Sequence, residues 1–351
     1  MFAYIYTFQT SVALSNVLVT GATGILGRII ALQLVKSGKK VRAAKRSTSN
    51  VEEVKRSFRF YTDNPELWFQ KIEWIDVDLF DQDQLEVALQ NIDEVYHTAA
   101  KVSFDPKDRK VLYHTNIKGT KQLLYACQDA QVKKFCFISS IAVFDGLNES
   151  GSVDETCDYN PKLNHSPYAI SKHFAEMEAW RASAEGLNVV IINPGVIIGS
   201  GNWSKSSGTL FQTFKKNTYT FSGGTAYVDV RDVATISIQL MDKNAFGEAF
   251  IAVSENLSYQ EVGTLIRRNF GLAPPKIISN KILYFGLWMN RLLGWLIPKL
   301  KWANSSNIAA VTTFYPISNE KVTKELSYHF IPIKESIAFH LENYNKDVKT
   351  S

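Results

Sequence analysis

Short apolar runs alternate with longer stretches of helical spacing along the first half of the chain. The runs have the composition of buried parallel strands and predict strands at 16–20, 40–45, 72–77, 94–98, 135–139 and 188–193. Helical spacing predicts helices from the residues after 27 to about 37, at 82–90, at about 107–130 and at 168–185. Strands that alternate with helices of this length form right-handed βαβ units. The pattern therefore predicts an α/β fold with a doubly wound parallel sheet.

The regular alternation fades after residue 195, where we expect a smaller, mostly helical C-terminal lobe. Residues 196–226 are rich in Gly, Ser and Thr and predict loops, whereas 232–242 predicts a helix and 249–253 a strand. Further helices are predicted at 258–270, about 282–296 and 319–326. We expect a leader without fixed structure at 1–15, the sheet domain at 16–195, the lobe at 196–345 with sheet elements near 227–253, and a tail at 346–351.

The composition is that of an ordinary globular protein. Of the 351 residues 45% are apolar and 21% are charged, which excludes a disordered, a collagen-like and a many-span membrane chain. The cysteines, Cys127, Cys136 and Cys157, are odd in number and widely spaced, so they predict reduced thiols in a cytoplasmic protein and neither a disulfide framework nor a metal site. The leader lacks the positive start of a secretory signal.

The net charge of +5 is unevenly distributed. Five basic residues and no acidic one lie between 276 and 301, around an apolar stretch at 282–297 that is too short to span a membrane. The pI of about 8.8 disfavours nucleic-acid binding over the whole domain. An anionic lipid surface, an acidic substrate tail or a partner would each fit 276–301, so peripheral contact with the inner face of a membrane stays open.

A glycine-rich turn joins the first predicted strand to the first predicted helix. Gly21, Gly24 and Gly27 are spaced by three, and their strand–turn–helix setting is typical of a dinucleotide site. A phosphate approaches a backbone closely only where no Cβ intervenes, and a helix N-terminus supplies free N–H groups. We therefore expect a dinucleotide cofactor at this turn.

The end of the second strand should lie near the adenosine ribose of that cofactor, about 20 residues after the glycines. An acidic residue there would bind the 2′-hydroxyl of NAD, but the sequence has Lys45 and Arg46. Two cations favour a 2′-phosphate, and Arg also stacks on adenine. NADP(H) is therefore predicted over NAD(H), which stays open.

Two side chains on the helix predicted at 168–185 indicate catalysis. Tyr168 and Lys172 are four residues apart, so they lie on one helical face. The neighbouring ammonium, together with an oxidised nicotinamide, is expected to lower the pKa of the phenol. The adjacent Ser139 and Ser140 end the fifth strand, where a hydroxyl faces the ligand crevice of such sheets and can donate to a substrate oxygen.

These features, in this order, resemble the extended short-chain dehydrogenase/reductases, also called the NAD-dependent epimerase/dehydratase superfamily. The resemblance covers about residues 16–345. It rests on TGATGILG at 20–27, Asp78-Leu79, HTAA at 97–100, TNIKGT at 115–120, SSIAVF at 139–144, YAISK at 168–172, NPGVIIG at 193–199 and YVDVRDVA at 227–234. It implies a Rossmann-type sheet, a nicotinamide cofactor and a homodimer, which the family often forms.

The resemblance also implies a role for each matching residue. Tyr168 would be the acid/base and Ser140 would position the substrate oxygen. Lys172 would hold the nicotinamide ribose, Asn116 would support a water-linked proton relay, and Asp232 would be a structural tie. The residues expected to border the cofactor are Gly21, Thr23, Gly24, Ile25, Leu26, Gly27, Lys45, Arg46, Asp78, Leu79, Ala99, Ala100, Lys101, Tyr168, Lys172, Pro194, Gly195 and Val196.

Particular sequence differences favour one branch of the family. Sugar 4,6-dehydratases place Asp-Glu where this chain has Ile141 and Ala142, and nucleotide-sugar epimerases usually carry an acidic residue at the second strand end. VRAAKR at 41–46 resembles the dihydroflavonol-reductase and 3β-hydroxysteroid-dehydrogenase-like branch. We expect an enzyme, an oxidoreductase that interconverts a carbonyl and a secondary alcohol by hydride transfer, with NADPH-dependent reduction favoured. The alternatives are a nucleotide-sugar or polyol epimerase and a non-enzymatic NADP-sensing protein.

A small-molecule substrate is expected where the lobe meets the sheet domain, and neither a nucleic acid nor a metal is expected. The candidate substrate contacts are Val102, Ser103, Phe144, His165, Asn202, Trp203 and Phe211. The aromatic residues among them fit core packing equally well. His97 lies within a strand, which favours a hydrogen-bonded core residue over a catalyst.

Overall fold

A computed structural model describes residues 15–203, 206–293 and 303–350 of the chain. The leader predicted at 1–15 lies outside these residues except for its last position. So does the end of the helix predicted at 282–296, together with 299 and 301 of the basic segment.

Among the described residues, seven parallel strands form the main sheet. They are β1 (Asn16–Thr20), β2 (Lys40–Lys45), β3 (Ile72–Asp76), β4 (Glu94–His97), β5 (Lys134–Ile138), β6 (Asn188–Pro194) and β10 (Glu248–Ala252). Their order across the sheet is β3-β2-β1-β4-β5-β6-β10. The chain reverses its direction across the sheet between β1 and β4, and a crevice outside the carboxyl ends at such a point is where ligands of open α/β sheets bind.

Helices cover both faces of the main sheet. In the first half these are α1 (Ile25–Lys36), α2 (Val51–Phe58), α3 (Pro65–Gln70), α4 (Gln82–Leu89), α5 (Arg109–Leu112), a π-helical turn (Tyr113–Lys118), α6 (Gly119–Asp129) and α7 (Pro167–Ala184). Apolar side chains of α1 and of the later α9 (Val230–Asp242) fill one buried cluster, and those of α4, α6 and α7 fill the other. The predicted Rossmann-type fold is confirmed.

The lobe contains more regular structure than the sequence predicts. A three-stranded sheet has the order β11 (Glu255–Ser258), β9 (Gly224–Asp229), β7 (Val196–Ile198), and β8 (Tyr219–Thr220) pairs with β12 (Lys276–Ile277). The remaining helices are α8 (Leu210–Lys216), α10 (Tyr259–Asn269), α11 (Asn280–Leu293), α12 (Ser305–Thr312), α13 (Glu320–Leu326) and α14 (Ile333–Thr350). Short 3₁₀ turns lie at Pro106–Asp108, Ile141–Val143 and Ser206–Thr209.

Two expectations for the lobe are corrected. The segment 196–226 is not all loop, because β7, α8, β8 and the start of β9 lie in it. Its strands are only two to six residues long and draw their partners from distant segments, so no local periodicity marks them. The tail expected at 346–351 falls mostly in α14, where Asp347 is buried and accepts a hydrogen bond of 2.6 Å from Nε1 of Trp203.

Candidate active site

The glycine-rich turn between β1 and α1 packs directly on the end of β4. Gly21 has a φ of +68°, and a Cβ there would lie 2.6 Å from the backbone nitrogen of Ala99. A Cβ on Gly27 would lie 2.4 Å from the carbonyl oxygen of Gly21. A Cβ on Gly24 would have a single close neighbour, the carbonyl oxygen of Gly21 at 3.1 Å. Two glycines therefore let the turn close on itself and on β4, while the missing Cβ of Gly24 leaves its outer face open.

The N-terminus of α1 fits the phosphates of a dinucleotide. Gly24 is the N-cap, no side chain caps the helix, and the first turn contains no acidic residue. The positive end of the helix dipole and its N–H groups thus face the open side of the turn. Thr23 and Ile25, which flank Gly24, are partly exposed, whereas Leu26 belongs to the core.

A buried arginine, which the sequence reasoning missed, braces this turn. Arg28 is fully buried and donates from Nε to the Gly24 carbonyl at 3.1 Å and from Nη2 to the Thr23 carbonyl at 2.5 Å. Its Nη1 lies 2.8 Å from Oε1 of Glu53, at the start of α2. The arginine therefore fixes two carbonyl oxygens of the turn, and the N–H of Gly24 closes the turn on the Gly21 oxygen at 2.8 Å.

The two cations at the end of β2 have different environments. Lys45 pairs with Asp76 at the end of the neighbouring β3, with 2.5 Å between Nζ and Oδ1. Arg46 is exposed, and within the described residues its side chain takes part in no hydrogen bond or ion pair. Its backbone oxygen accepts from the N–H of Ser49, which closes a turn after the strand. Arg46 is therefore the cation that is available for an added phosphate.

The other predicted cofactor residues lie at or just after the carboxyl ends of three strands of the main sheet, or at the start of β7. Asp78 and Leu79 follow β3, and Ala99, Ala100 and Lys101 follow β4, all with part of their surface exposed. Pro194 ends β6, Gly195 follows it and Val196 begins β7. A Cβ on Gly195 would lie 2.5 Å from the carbonyl oxygen of Ala226 in β9, so this glycine allows the crevice floor to close on the lobe sheet.

Tyr168 lies in the first turn of α7, next to Ser140 after β5. Ser166 caps this helix by accepting from the N–H of Ala169 at 3.1 Å. Burial raises the pKa of Tyr168, and a hydrogen bond with Ser140 opposes the rise. Lys172 does not contribute to this shift, and the expected lowering of the pKa by Lys172 together with an oxidised nicotinamide stays a prediction. The exposed ring of Phe104, another residue that the sequence reasoning missed, packs edge-on at 5.8 Å from the Tyr168 ring.

Lys172 points back toward the sheet. Its Nζ donates to the carbonyl oxygen of Ile138 at 2.6 Å and lies 4.5 Å from the centre of the Phe137 ring. Burial lowers the pKa of Lys172 to about 8, while the charge of Glu176 acts in the opposite direction. An ammonium has three donors, so the bond to Ile138 leaves capacity for other acceptors.

Glu176, one turn beyond Lys172 on α7, is a buried carboxyl that the sequence reasoning missed. Ser139 at the end of β5 donates to its Oε2 at 2.5 Å, and Nδ2 of Asn193 in β6 donates to the same oxygen at 2.9 Å. Burial raises the pKa of this carboxyl and the ammonium of Lys172 lowers it. Its position eight residues after Tyr168, on the same helical face, is the signal that could have identified it.

Asn116 lies in the π-helical turn and connects the β4 loop to α7. Its side chain accepts from the N–H of Lys101 at 2.7 Å and donates to the Lys101 carbonyl at 2.9 Å. Its Nδ2 also lies 2.9 Å from Oγ of Ser171. The geometry is that of a residue that fixes the backbone at the cofactor edge, and its role in a proton relay stays a prediction.

A cavity of about 410 Å³ opens at the start of α7, between that helix and the lobe. It is lined by Phe104, Asn164, His165, Ser166, Pro167, Asn290, Asn304, Ser305, Ser306 and Asn307. The predicted contact His165 is among them, and Val102 and Ser103 belong to the loop that carries Phe104. The asparagines and serines of α11 and α12 could not be found from the sequence, because no local pattern marks them as neighbours of α7.

Four of the predicted substrate contacts lie elsewhere. Trp203 and Phe211 are buried in the apolar core of the lobe, where Trp203 packs edge-on against Tyr344 at 5.3 Å, and these two are corrected to core residues. Phe144 packs against the small cluster that includes Val253. Asn202 is partly buried beside Trp203.

His97 and Asp232 have the structural environments that were expected of them. His97 is buried between the hydroxyls of Thr20, at 2.6 Å, and Thr120, at 2.9 Å, and burial lowers its pKa to about 3. Asp232 accepts from the hydroxyl of Tyr328 at 2.9 Å, and burial raises its pKa to about 6.

Comparisons with known proteins identify the family of this chain. A Synechocystis sp. protein provisionally named dihydroflavonol 4-reductase is 28% identical over 289 residues, which are 80% of this chain and 78% of that protein. Cinnamoyl-CoA reductase 1 of Petunia hybrida is 28% identical over 339 residues, which are 93% of this chain and 91% of that enzyme. The crystal structure of the protein gox2253 has the same fold, with a TM-score of 0.80 at 24% identity over 95% of this chain and 98% of that one.

The sequence pattern of the NAD dependent epimerase/dehydratase family matches residues 17–253, which is well over half of the chain. The match includes the glycine turn, the serine after β5 and the tyrosine and lysine of α7. The chain therefore belongs to the NAD-dependent epimerase/dehydratase family and is an NAD(P)-dependent enzyme.

Proposed function

We propose that the enzyme reduces a carbonyl of a small molecule to a secondary alcohol with NADPH. The observation that carries the proposal is the arrangement of Ser140, Tyr168 and Lys172 around the carboxyl end of β5, next to the open glycine turn. NADPH, when bound, supplies a hydride to the carbonyl carbon. The chain's own residues must then orient the carbonyl oxygen and give it a proton.

Tyr168 is suited to donate that proton. Burial keeps the pKa of the phenol above its ordinary value of about 10, so the group is protonated at neutral pH and acts as an acid. The hydroxyl of Ser140 orients the substrate oxygen beside it. Lys172, with a pKa of about 8, still carries a positive charge at pH 7 and stabilises the phenolate that forms. This protonation pattern is the one that the reduction requires.

The cavity at the start of α7 has a polar lining. Among the described residues that line it there is no lysine, arginine, aspartate or glutamate. Amide and hydroxyl groups suit an uncharged, oxygenated carbonyl compound. A nucleotide-sugar carries a diphosphate, which proteins hold with cations or helix N-termini, and the N-termini of α7 at Ser166 and of α12 at Asn304 do line this cavity, so the reductase and the epimerase are distinguished by turnover.

The reaction is tested with a panel of ketones and aldehydes, by following the absorbance of NADPH. We expect turnover of at least one uncharged carbonyl compound and a loss of about 100-fold or more in kcat for Tyr168→Phe, which removes the proton donor. Tyr125→Phe is the matched control, because Tyr125 lies on α6 with its side chain partly exposed. Unchanged activity of Tyr168→Phe would refute the mechanism. Interconversion of sugar epimers without added NADPH would establish the epimerase, and cofactor binding without any turnover would establish the sensing protein.

Cofactor choice is tested by the affinities for NADPH and NADH. We propose that Arg46 holds the 2′-phosphate and that Lys45, paired with Asp76, contributes less. Arg46→Ala is expected to weaken NADPH binding by about tenfold or more, since a charge-assisted bond is lost, and to leave NADH binding unchanged. Lys45→Ala is the matched control with a smaller effect. Equal or tighter binding of NADH by the unaltered enzyme would overturn the preference.

A further inference from the structure

The outer face of α11 is the most apolar exposed surface of the lobe. Ile282 is 63% exposed, Tyr284 57%, Phe285 60% and Trp288 54%, and the rings of Phe285 and Trp288 stack at 5.7 Å. The opposite face carries Leu283, which is buried. Large apolar side chains of a helix are ordinarily covered, whereas the part of the chain that the structure describes covers this helix on one side only.

The inner face of α11 is already used within the chain. A Cβ on Gly286 would lie 3.5 Å from the Cβ of Ala303, just before α12, and Nδ2 of Asn290 donates to the Ala303 carbonyl at 3.1 Å. Asn290 also lines the cavity beside Tyr168. Gly286 and Asn290 therefore face the protein together with Leu283, whereas the aromatic side chains of the helix face outward.

The charge around this face has one sign. Between Glu261 and Glu320 the sequence contains seven basic residues and no acidic one, which exceeds the +5 of the whole chain. In the described part of this segment, Lys276, Lys281 and Arg291 are exposed and take part in no ion pair. Lys281 begins the aromatic face itself, where its stem can lie along apolar surface while its ammonium reaches a polar layer.

We propose that α11 binds the surface of a bilayer that contains anionic lipids, with the aromatic side chains in the interfacial layer and the cations at the phosphates. Trp and Tyr favour the membrane–water interface, and each Lys or Arg near an anionic surface adds attraction. Within the described residues, no helix is long and apolar enough to cross a bilayer. In this arrangement the helix lies along the bilayer surface, and the cavity at the start of α7, which Asn290 lines, is on its inner side.

A second copy of the chain fits this face less well. A two-fold interface centred on α11 would bring Lys281 and Arg291 of both copies together. No carboxylate between 262 and 319 could neutralise them, and the cores of protein interfaces are depleted in lysine. A lipid surface supplies the missing negative charge. This inference does not depend on the proposed reaction, because it uses no catalytic residue.

The test is co-sedimentation of the purified full chain with phosphatidylcholine vesicles and with vesicles that also contain phosphatidylglycerol. We expect binding to the anionic vesicles, weaker binding in high salt, and little binding to phosphatidylcholine alone. Phe285→Ser combined with Trp288→Ser, and separately Lys281→Glu combined with Arg291→Glu, should each weaken binding by about tenfold or more. These side chains are exposed, so neither variant disturbs the core.

Matched double variants elsewhere serve as controls. Leu67→Ser with Val87→Ser removes exposed apolar side chains of α3 and α4, and Lys36→Glu with Lys110→Glu reverses two exposed charges. Both controls should bind as the unaltered chain does. No sedimentation with anionic vesicles, or equal loss in the controls, would overturn the proposal. So would a dimer, seen by light scattering, that Phe285→Ser with Trp288→Ser dissociates, because a second copy would then cover the face.

Discussion

Alanine substitutions at Gly24 and Gly27 test two different roles of the glycine turn, the binding of the cofactor and the stability of the fold. Gly24 has a φ of −74° and Gly27 lies within α1, so alanine is conformationally allowed at both positions. The difference between them lies in space. The new Cβ at position 27 would be 2.4 Å from the Gly21 oxygen and 2.6 Å from Oγ1 of Thr98, whereas at position 24 its one close contact is the Gly21 oxygen at 3.1 Å.

These distances set the sign and size of each effect. Overpacking a tight site typically costs about 1–3 kcal/mol, and the close atoms at position 27 are mostly backbone, which cannot rotate away. The helix propensity of alanine returns up to about 1 kcal/mol. We therefore expect Gly27→Ala to lower the free energy of unfolding by about 1–2 kcal/mol. Gly24→Ala should stay within about 1 kcal/mol of the unaltered enzyme, because a neighbour at 3.1 Å needs to give by only a few tenths of an ångström.

For NADPH binding, in contrast to stability, we expect Gly24→Ala to have a clear effect. The methyl of Gly24→Ala projects from the open side of the turn, where a phosphate would approach the backbone, so NADPH binding should weaken by about tenfold or more, or about 1.4 kcal/mol. Urea unfolding without cofactor and fluorescence titration with NADPH measure the two quantities separately. Gly286→Ala is the matched control, because its Cβ meets only the Ala303 methyl at 3.5 Å, an ordinary contact. If Gly24→Ala bound NADPH like the unaltered enzyme, or if Gly27→Ala were equally stable, the assignment of the two glycines would be refuted.

Three other changes probe buried charge. Glu176→Gln removes a carboxylate that supports the ammonium of Lys172, so the pKa of about 8 should fall and the alkaline limb of the reductase pH profile should move toward neutral; an unmoved limb would contradict this. His97 and His340 are buried with lowered pKa values. As the pH falls, these histidines are protonated in the unfolded chain at a higher pH than in the folded one. The free energy of unfolding should therefore decrease below about pH 6.5, by up to about 1.4 kcal/mol per pH unit for each histidine. Urea unfolding at several pH values measures this decrease. Arg28→Met leaves the Glu53 carboxylate without its partner, so the free energy of unfolding should decrease by about 3 kcal/mol, which lowers the Tm. An unchanged Tm would show that Arg28 does not stabilise the turn.

The sheet domain was predictable because its information is local. Each strand of the main sheet is a short apolar run, and the glycine turn follows β1 directly. Tyr168 and Lys172 were singled out by their spacing of four residues on one helix and by the family resemblance. Glu176 follows the same rule and was within reach of it. Arg28 was not, since a buried arginine becomes intelligible only when Glu53 from α2 and the carbonyl oxygens of the turn are known to surround it.

The lobe could not be predicted in the same way, because its residues acquire their roles from distant partners. Trp203 and Phe211 come soon after the family motif NPGVIIG in the sequence, which suggested that they contact the substrate. In the structure both side chains pack against Tyr344 of α14, more than a hundred residues later, and are buried. The cavity instead takes its polar wall from α12, whose asparagines and serines have no apolar spacing to reveal which way they face. Burial against a remote helix is the information that the local pattern lacks.

Burial also decides how one hydrogen-bonded chain in the lobe should be interpreted. Ser200 Oγ lies 2.7 Å from Nδ1 of His340, and Nε2 of His340 lies 3.1 Å from Oδ2 of Asp229, which is the order of groups in a hydrolytic triad. All three residues are fully buried, so no substrate can reach the serine, whose Oγ also accepts from Asn343 at 3.0 Å. Asp229 is further held by Ser336 of α14. This series of hydrogen bonds therefore fastens α14 to β9 of the lobe sheet and has a structural role.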